Sequence, residues 1–405
     1  MRAIVKKSNL KGNLDIISSK SLAHRYIFCA SLANGTSKIS NVYLSDDVLA
    51  TIDVCKKMGA KISINGNELT IIGTNNILKN DDFFVNESGS TLRFLIPLLL
   101  LDEKIAHIDG KGRLGKRPLD VYFDIFKQDN IEFNHQEDYL PLTVKGNLKG
   151  GIYQIRGDIS SQFITGLLLA LPILKNDSKI VLTTKLESKS YVDLTLDVLN
   201  KFGIQIINNN YQEFIIKGNQ KYKPYDGIVE GDYSQAAFFF VSNCLGSKIN
   251  IKNILPNSLQ GDKKIIDIIN DYQNDKTIDL NDNPDLGPIL FVLASRYEGK
   301  THFLNTKRLR YKESDRILAM QKELEKVGVI FEVFDNDLYI TGNNKYFNEI
   351  EFDVSADHRI AISLIIYSLH FIDKAIISGV EAINKSYPDF ISDVKLLGGD
   401  IACEN

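Results

Sequence analysis

The sequence predicts an α/β chain of two similar halves, each assembled from three repeats. Three observations carry this. Amphipathic helix patterns that stop at Gly or Asn and run into a β-branched strand recur along the chain, most neighbours roughly 70 residues apart. A second series of helix patterns, apolar nearly all round and opened by small polar residues, alternates with the first. Short runs rich in Ile, Val, Thr and Phe fill the gaps. So long a spacing fits duplicated units of strand, buried helix, strand, surface helix and two further strands, not a thin solenoid.

Taken in order, the buried series opens at Ser19-Lys20-Ser21, Ser88-Gly89-Ser90-Thr91, Ser160-Ser161-Gln162, Gly231-Asp232-Tyr233-Ser234, Pro284-Asp285-Leu286 and Ser355-Ala356-Asp357-His358. The surface series occupies residues 46–59, 117–130, 191–203, 312–328 and 387–398, with a weaker member at 261–272. Strands are expected directly after most of these, and also at 179–182 and 213–217. The fifth copy is short around 271–282. The seam is placed near 226–231, giving one domain of residues 19–230 and another of 231–405 joined by residues 1–18.

Composition narrows the function. A length of 405 residues suffices for two domains with sizeable cores. A net charge of -3 gives no reason to expect nucleic acid or an anionic membrane as partner. Cys29, Cys55, Cys244 and Cys403 show neither metal-ligand nor disulfide spacing, and the histidines form no pair at ligand spacing. The first residues lack the apolar core of a signal peptide, and no apolar run reaches membrane-spanning length, so the cytoplasm is expected.

Chemistry gathers at the starts of the helices. Unpaired N–H groups and a partial positive charge there suit phosphate or carboxylate. Several buried-helix starts add a cation: Lys20 and Arg25, Arg93, Arg359. Each start taken singly also fits an ordinary Ser or Asp cap. An arginine in a buried helix, however, calls for an anionic partner. Residues 110–118 form a Gly-spaced loop with four cations, lid-like or merely solvated. Tyr311-Lys312-Glu313-Ser314-Asp315-Arg316 sets an amine, two carboxylates and a guanidinium where a strand gives way to a helix. Ser314 is expected to cap that helix and Asp315 to complement its positive end. Neither a Walker loop nor a G-x-G-x-x-G turn occurs, so nothing supports ATP or NAD. The inference is a site for small polyanions, lined by Arg and Lys from both halves.

At this point the motifs carry a resemblance. The chain resembles the 5-enolpyruvylshikimate-3-phosphate synthase family nearly end to end. The matching residues are Ser19-Lys20-Ser21 with Arg25, Ser45-Asp46-Asp47, Glu87 through Arg93, and Arg113 with Arg117-Pro118. Ser160-Ser161-Gln162-Phe163, Ser188-Lys189 with Tyr191, Pro284-Asp285, Lys312 through Arg316, Asp357-His358-Arg359 and Lys385 with Pro388-Asp389 complete the set. The resemblance implies two domains of three β-α-β-α-β-β repeats, an inside-out α/β barrel in each, with the active site in the cleft between them.

It also implies roles. Ser21 and Arg25 would hold the carboxylate of shikimate 3-phosphate. Ser160, Ser161, Ser188 and Lys312 would hold its phosphate, and Gln162 would lie between the two substrates. Lys20, Gly89, Arg113 and Lys385 would bind the phosphate of phosphoenolpyruvate, while Arg316 and Arg359 clamp its carboxylate. Asp285 would take the proton of the 5-hydroxyl, Glu313 would give and later remove the C3 proton, and Lys20 would assist. The resemblance implies no metal, no organic cofactor and a monomer.

The chain departs from the family pattern in places. The usual Pro-Gly-Ser-Lys turn reads Ile17-Ser18-Ser19-Lys20, His24 stands for a common Asn, and Ser190 for a common Pro. Arg308 replaces an Asn and Gln235 a Ser. Two rival readings remain to be set against this one. UDP-N-acetylglucosamine enolpyruvyl transferases commonly carry a Cys where this chain has Gly112, and Asn where it has Ser21. A non-catalytic anion-binding relative would have lost an acid or base, and none is lost.

Overall fold

The structure is a computed structural model that describes residues 1–74, 82–274 and 276–404. The chain divides into two compact units, Ser18–Glu230 and Met1–Ile17 with Gly231–Asn405. It is a mixed α/β fold of six small sheets with interleaved helices.

In the unit Ser18–Glu230 three four-stranded sheets share one plan. Each has a parallel pair followed by two antiparallel neighbours. Asp82–Phe84 lies parallel to Ala106–Asp109, which pairs antiparallel with Leu142–Lys145, itself antiparallel to Glu132–His135. The strands alternate buried and exposed residues, as half-buried strands must. Their inner faces cover three helices, Lys20–Leu32, Gly89–Leu99 and Ser161–Ala170, whose residues are buried almost all round. The amphipathic helices Asp46–Lys57, Asp120–Asp129 and Lys189–Lys201 bury one face only.

The buried helices approach closely where side chains permit. A Cβ on Gly166 would lie 2.3 Å from the carbonyl oxygen of Arg93 and 2.3 Å from the Tyr122 hydroxyl. Tyr122 in turn donates to the Arg93 carbonyl at 2.6 Å. Only glycine lets helices Gly89–Leu99 and Ser161–Ala170 meet at this distance, so this contact sets the spacing of their N-terminal ends.

The other unit repeats the plan with one difference. Phe347–Asp353, Ile372–Ser378, Arg2–Lys6 and Asp400–Glu404 form one four-stranded sheet, and Thr277–Asp279, Lys300–Leu304, Asp337–Thr341 and Ile330–Val333 another. Among the described residues the third holds only Lys11–Asp15 beside Lys248–Lys252, in parallel. Among the described residues no strand pair follows helix Ile265–Asp271 before Thr277, which is where the sequence is short; residue 275 lies outside the described residues. Residues 1–17 belong here because Ala3 and Val5 bury into this unit's core and Arg2 pairs with both Ser378 and Glu404. Helices Tyr233–Cys244, Gly287–Arg296 and His358–Phe371 fill that core. No helix among the described residues is long and apolar enough to cross a membrane.

Candidate active site

In the unit that carries Gly231–Asn405, one guanidinium organises the polar residues. Arg316 opens helix Arg316–Glu325 and is 1% exposed. Its Nε donates to Asp357 Oδ2 at 2.9 Å, Nη1 to Asp285 Oδ1 at 2.9 Å, and Nη2 to Glu313 Oε2 at 2.7 Å. Burial disfavours its charge, but the three carboxylates outweigh burial and push its pKa upward. Asp285 is gathered further by Lys312 Nζ at 3.1 Å and by Arg359, whose Nη2 reaches Oδ2 at 3.2 Å and whose Nη1 reaches the carbonyl at 3.1 Å. Burial alone would raise Asp285, yet Arg359, Lys312 and Arg316 hold it well below the usual carboxylate range. Burial brings Lys312 down to about 8, Asp285 opposing. Lys385 Nζ lies 3.9 Å from Glu313 Oε1.

The structure therefore draws Asp285, Lys312, Glu313, Arg316, Arg359 and Lys385 into one cluster from four stretches of chain. Local structure explains how. Residues Lys307–Tyr311 form a 3-10 turn, Lys312 is extended, and the α-helix starts only at Arg316. This corrects the expected start at Lys312 and the expected cap. Asp315 is the N-cap, accepting from the Leu318 N–H at 3.1 Å. Ser314 instead donates to Asp357 Oδ2 at 3.0 Å. Asp357 caps helix His358–Phe371 by accepting from the Arg359 N–H at 2.9 Å. It enters that helix from Ser355 and Ala356, which hold left-handed φ of 50° and 56°, a strained entry for residues with a Cβ.

The unit Ser18–Glu230 carries the remaining expected residues at four helix starts and in one turn. Lys20 is the first residue of helix Lys20–Leu32 and pairs with Asp47 at 2.6 Å. One turn on, Arg25 is 3% exposed, and its acceptors are neutral oxygens. Nε donates to Thr195 Oγ1 at 2.8 Å, Nη1 to the Ser21 carbonyl at 2.6 Å and Nη2 to the Tyr191 carbonyl at 2.8 Å. Burial lowers Arg25 to about 10. Ser188, just before helix Lys189–Lys201, is buried with φ 57° and ψ 48°, a left-handed conformation uncommon for serine.

Gln162 ties two helix starts together. Its Nε2 donates to Ser90 Oγ at 2.9 Å and its Oε1 accepts from Arg93 Nη1 at 2.8 Å. Ser160 caps the same helix, accepting from the Gln162 N–H at 3.3 Å, and Ser161 is buried behind it. Arg93 also donates to the Pro118 carbonyl at 3.2 Å and lies 4.9 Å over the Phe163 ring. Neutral oxygens and a π-face thus take up much of the solvation that the sequence reading assigned to an anion.

Beneath these starts runs a buried chain of hydrogen bonds. His24 Nδ1 meets Thr51 Oγ1 at 2.7 Å, Thr51 meets Thr91 Oγ1 at 2.6 Å, and Thr91 Oγ1 donates to Ser88 Oγ at 2.7 Å. Ser88 caps helix Gly89–Leu99, accepting from the Thr91 N–H at 3.2 Å. The chain locks the Lys20 helix to the Gly89 helix start.

The cationic stretch 110–118 is ordered as a 3-10 turn, Gly112–Lys116, with Leu114 buried. Gly112 has φ 62°, a left-handed conformation that favours glycine, and a Cβ there would press on the Glu87 carboxylate. Arg113 is exposed. Arg117 is the arginine that reaches Gly89: the nearest atom to a Cβ built on Gly89 is Arg117 Nη1, at 2.5 Å. The sequence reading gave Arg117 no role of its own. The adjoining Pro118 was the available signal, since it ends the turn and fixes where Arg117 leaves it.

Each cluster thus presents buried or half-buried cations at helix starts, and one of them adds three carboxylates that share a guanidinium. Comparison with known proteins gives the family. The family model described as EPSP synthase (3-phosphoshikimate 1-carboxyvinyltransferase) matches residues 4–394. A 3-phosphoshikimate 1-carboxyvinyltransferase of Clostridium perfringens is 45% identical, with 98% of each chain covered. That of Clostridioides difficile is 44% identical, with 97% of each covered. A solved EPSP synthase from Acinetobacter baumannii superposes over 100% of both chains with a TM-score of 0.83 at 23% identity, a likeness of fold. With a model matched along nearly its whole length and relatives at such identity, the chain belongs to the EPSP synthase (3-phosphoshikimate 1-carboxyvinyltransferase) family.

Proposed function

We propose that this protein carries out its family's reaction with Asp285 and Glu313 as separate proton carriers set on one arginine. The activity is that of a 3-phosphoshikimate 1-carboxyvinyltransferase: the enolpyruvyl group of phosphoenolpyruvate passes to the 5-hydroxyl of shikimate 3-phosphate, and phosphate is released. The observation that carries the assignment is the shared guanidinium. Arg316 holds Asp285 on Nη1 and Glu313 on Nη2. Two carboxylates fixed on the two terminal nitrogens of one guanidinium can serve two nearby atoms of one reaction, the attacking oxygen and the carbon next to the one it attacks.

In this reading Asp285 accepts the hydroxyl proton as the oxygen attacks C2 of phosphoenolpyruvate, and Glu313 delivers a proton to C3. Phosphate then leaves the tetrahedral intermediate while Glu313 takes a C3 proton back. Asp285 is a weak base while Arg359, Lys312 and Arg316 all spend their charge on it. Substrate anions that engage those same cations relieve the pull and raise its basicity. Arg316 and Arg359 would clamp the pyruvyl carboxylate and Lys385 its phosphate, with Lys312 on the shikimate phosphate. In the other unit Lys20, Gly89 and Arg117 would serve the phosphoenolpyruvate phosphate, with Arg113 a more distant cation. Ser21 and Arg25 would hold the shikimate carboxylate, Ser160, Ser161 and Ser188 its phosphate, and Gln162 would span both substrates. Each unit would comprise three repeats, one shortened, and the protein would act as a cytoplasmic monomer without cofactor.

Glu313→Gln tests the assignment. It keeps an oxygen for Arg316 and removes the titratable proton. kcat is expected to fall at least about a hundredfold with KM for both substrates within about threefold. A retained kcat with a large loss of affinity would assign Glu313 to binding instead.

A further inference from the structure

Behind Asp285 lies a carboxylate that none of the roles above uses. Asp262, in the 3-10 turn Gly261–Lys264, is 3% exposed. One of its oxygens accepts from the Ser234 hydroxyl, and the other accepts from Asn283 Nδ2 at 3.3 Å. Asn283 is itself buried and stands two residues before Asp285. Its backbone carbonyl accepts from the Leu286 N–H at 3.1 Å, closing the turn Pro284–Leu286, and Pro284 fixes φ within it. Any shift of the Asn283 backbone would therefore carry the turn that holds Asp285 with it. Ser234 sits in the first turn of helix Tyr233–Cys244, which Asp232 caps and which Gln260 braces through the Tyr233 N–H at 3.1 Å and the Gly231 carbonyl at 2.8 Å. Asp262 thus rests on a rigid frame on one side and holds the Asp285 turn on the other.

We propose that Asp262 is a positioning residue of the transfer reaction: through Asn283 it holds the turn that presents Asp285 to Lys312, Arg316 and Arg359, and its charge acts on that same carboxylate. The proposal rests on the reading of Asp285 as the base. The charged groups that act on Asp262 are Asp285 on the held turn and Arg359 on helix His358–Phe371. On its own element Lys263 is tied to the Pro256 carbonyl and Lys264 to Asp267. Burial and the like charge of Asp285 push Asp262 up to about 6, against the pull of Arg359. Asp262 consequently changes charge within the range where the enzyme can be assayed. Ionised, it raises the affinity of Asp285 for a proton; protonated, it leaves Asp285 to the cations alone.

The test is steady-state kinetics of wild type, Asp262→Asn, Asp262→Ala and Asp285→Asn from about pH 5.5 to about pH 8.5. Asn at 262 keeps an acceptor for Asn283 and imitates the protonated acid. Its kcat should match wild type near the lower limit and fall at least about threefold below it near the upper, KM staying level for both substrates. Asp262→Ala, which releases Asn283, should be slower than Asp262→Asn throughout. A wild-type to Asp262→Asn ratio that is flat across the range overturns the proposal, since lost packing has no reason to follow pH. Should Asp262→Ala fail to fold, the Asn variant alone decides. Asp285→Asn separates the two layers of the argument: full activity there removes the base, and the proposal with it. Loss of activity there beside a flat Asp262→Asn ratio removes only the role of Asp262.

Discussion

Arg316 donates from Nε to Asp357 Oδ2 at 2.9 Å, and neither side chain is measurably more than 1% exposed. The same aspartate caps helix His358–Phe371, accepts from Ser314 and so places Arg359 as well as Arg316. Burial works against both charges, and only their pairing repays it: Arg316 draws Asp357 below its usual range.

That dependence makes Asp357→Asn costly. The amide can still cap the helix through its oxygen, but it turns an N–H toward Arg316 or gives up the Ser314 contact. The expected loss is about 3–5 kcal/mol, the range for breaking one half of a buried ion pair. Urea unfolding of the variant beside wild type measures it; a difference under about 0.5 kcal/mol would show that the pair contributes little. Arg316→Lys complements the experiment. Charge is kept, but a point-like ammonium cannot hold Asp357, Asp285 and Glu313 at once. kcat/KM is expected to fall at least about a hundredfold.

Arg117 and Arg113 are four residues apart in one turn and are expected to behave differently. Arg117 stands against Gly89 at the start of a buried helix, while Arg113 is exposed. Losing a charge-assisted contact to phosphate costs about 1.5–3 kcal/mol. Arg117→Ala should therefore raise KM for phosphoenolpyruvate by roughly ten- to a hundredfold, and Arg113→Ala by less than about threefold. Gly89→Ala should act in the same direction, because its Cβ would have to displace the Arg117 guanidinium. The reverse ranking of the two arginines would return the phosphate to Arg113.

What could be read ahead of the structure was whatever has a local cause. The helix expected at 46–59 runs Asp46–Lys57, because its apolar period and acidic start are written in adjacent residues. The opening of the Arg316 helix was misread because Ser314 and Asp315 are both competent caps. The choice between them is made by Asp357, more than forty residues away in sequence. Arg93 and Arg25 stand out in sequence as buried cations, but most of the oxygens that cradle them come from segments far along the chain. Arg113 and Arg117 present the same chemistry in sequence, and only the fold of the turn separates them. Long-range packing assigns such partners, and a single sequence carries no record of it.

His24, which replaces a common Asn, is expected to make the unit Ser18–Glu230 sensitive to acid. Its Nδ1 faces Thr51 Oγ1, and Nε2 is buried with no hydrogen-bond partner among the described residues. A second ring proton would have nowhere to go. Burial lowers the imidazole to about 3, with Lys20 and Arg25 adding to the effect and Asp47 opposing it. The folded pKa lies below the unfolded value of 6.5, so His24 costs nothing above pH 6.5. As pH falls from there toward about 3, the unfolded chain binds a proton that the folded chain refuses, and stability is lost at about 1.4 kcal/mol per pH unit. His370, lowered to about 4 chiefly by burial, acts with the same sign in the other unit, while Asp262, raised to about 6, acts against it as pH falls through that value. Both are common to wild type and variant, so they cancel when the two are compared. Urea unfolding of wild type and His24→Asn at pH 7, 6 and 5 isolates the histidine. The stability of the variant relative to wild type should improve by about 1 kcal/mol for each unit below pH 6. Two parallel pH profiles would mean that His24 gains its proton in the folded protein as readily as in the unfolded one.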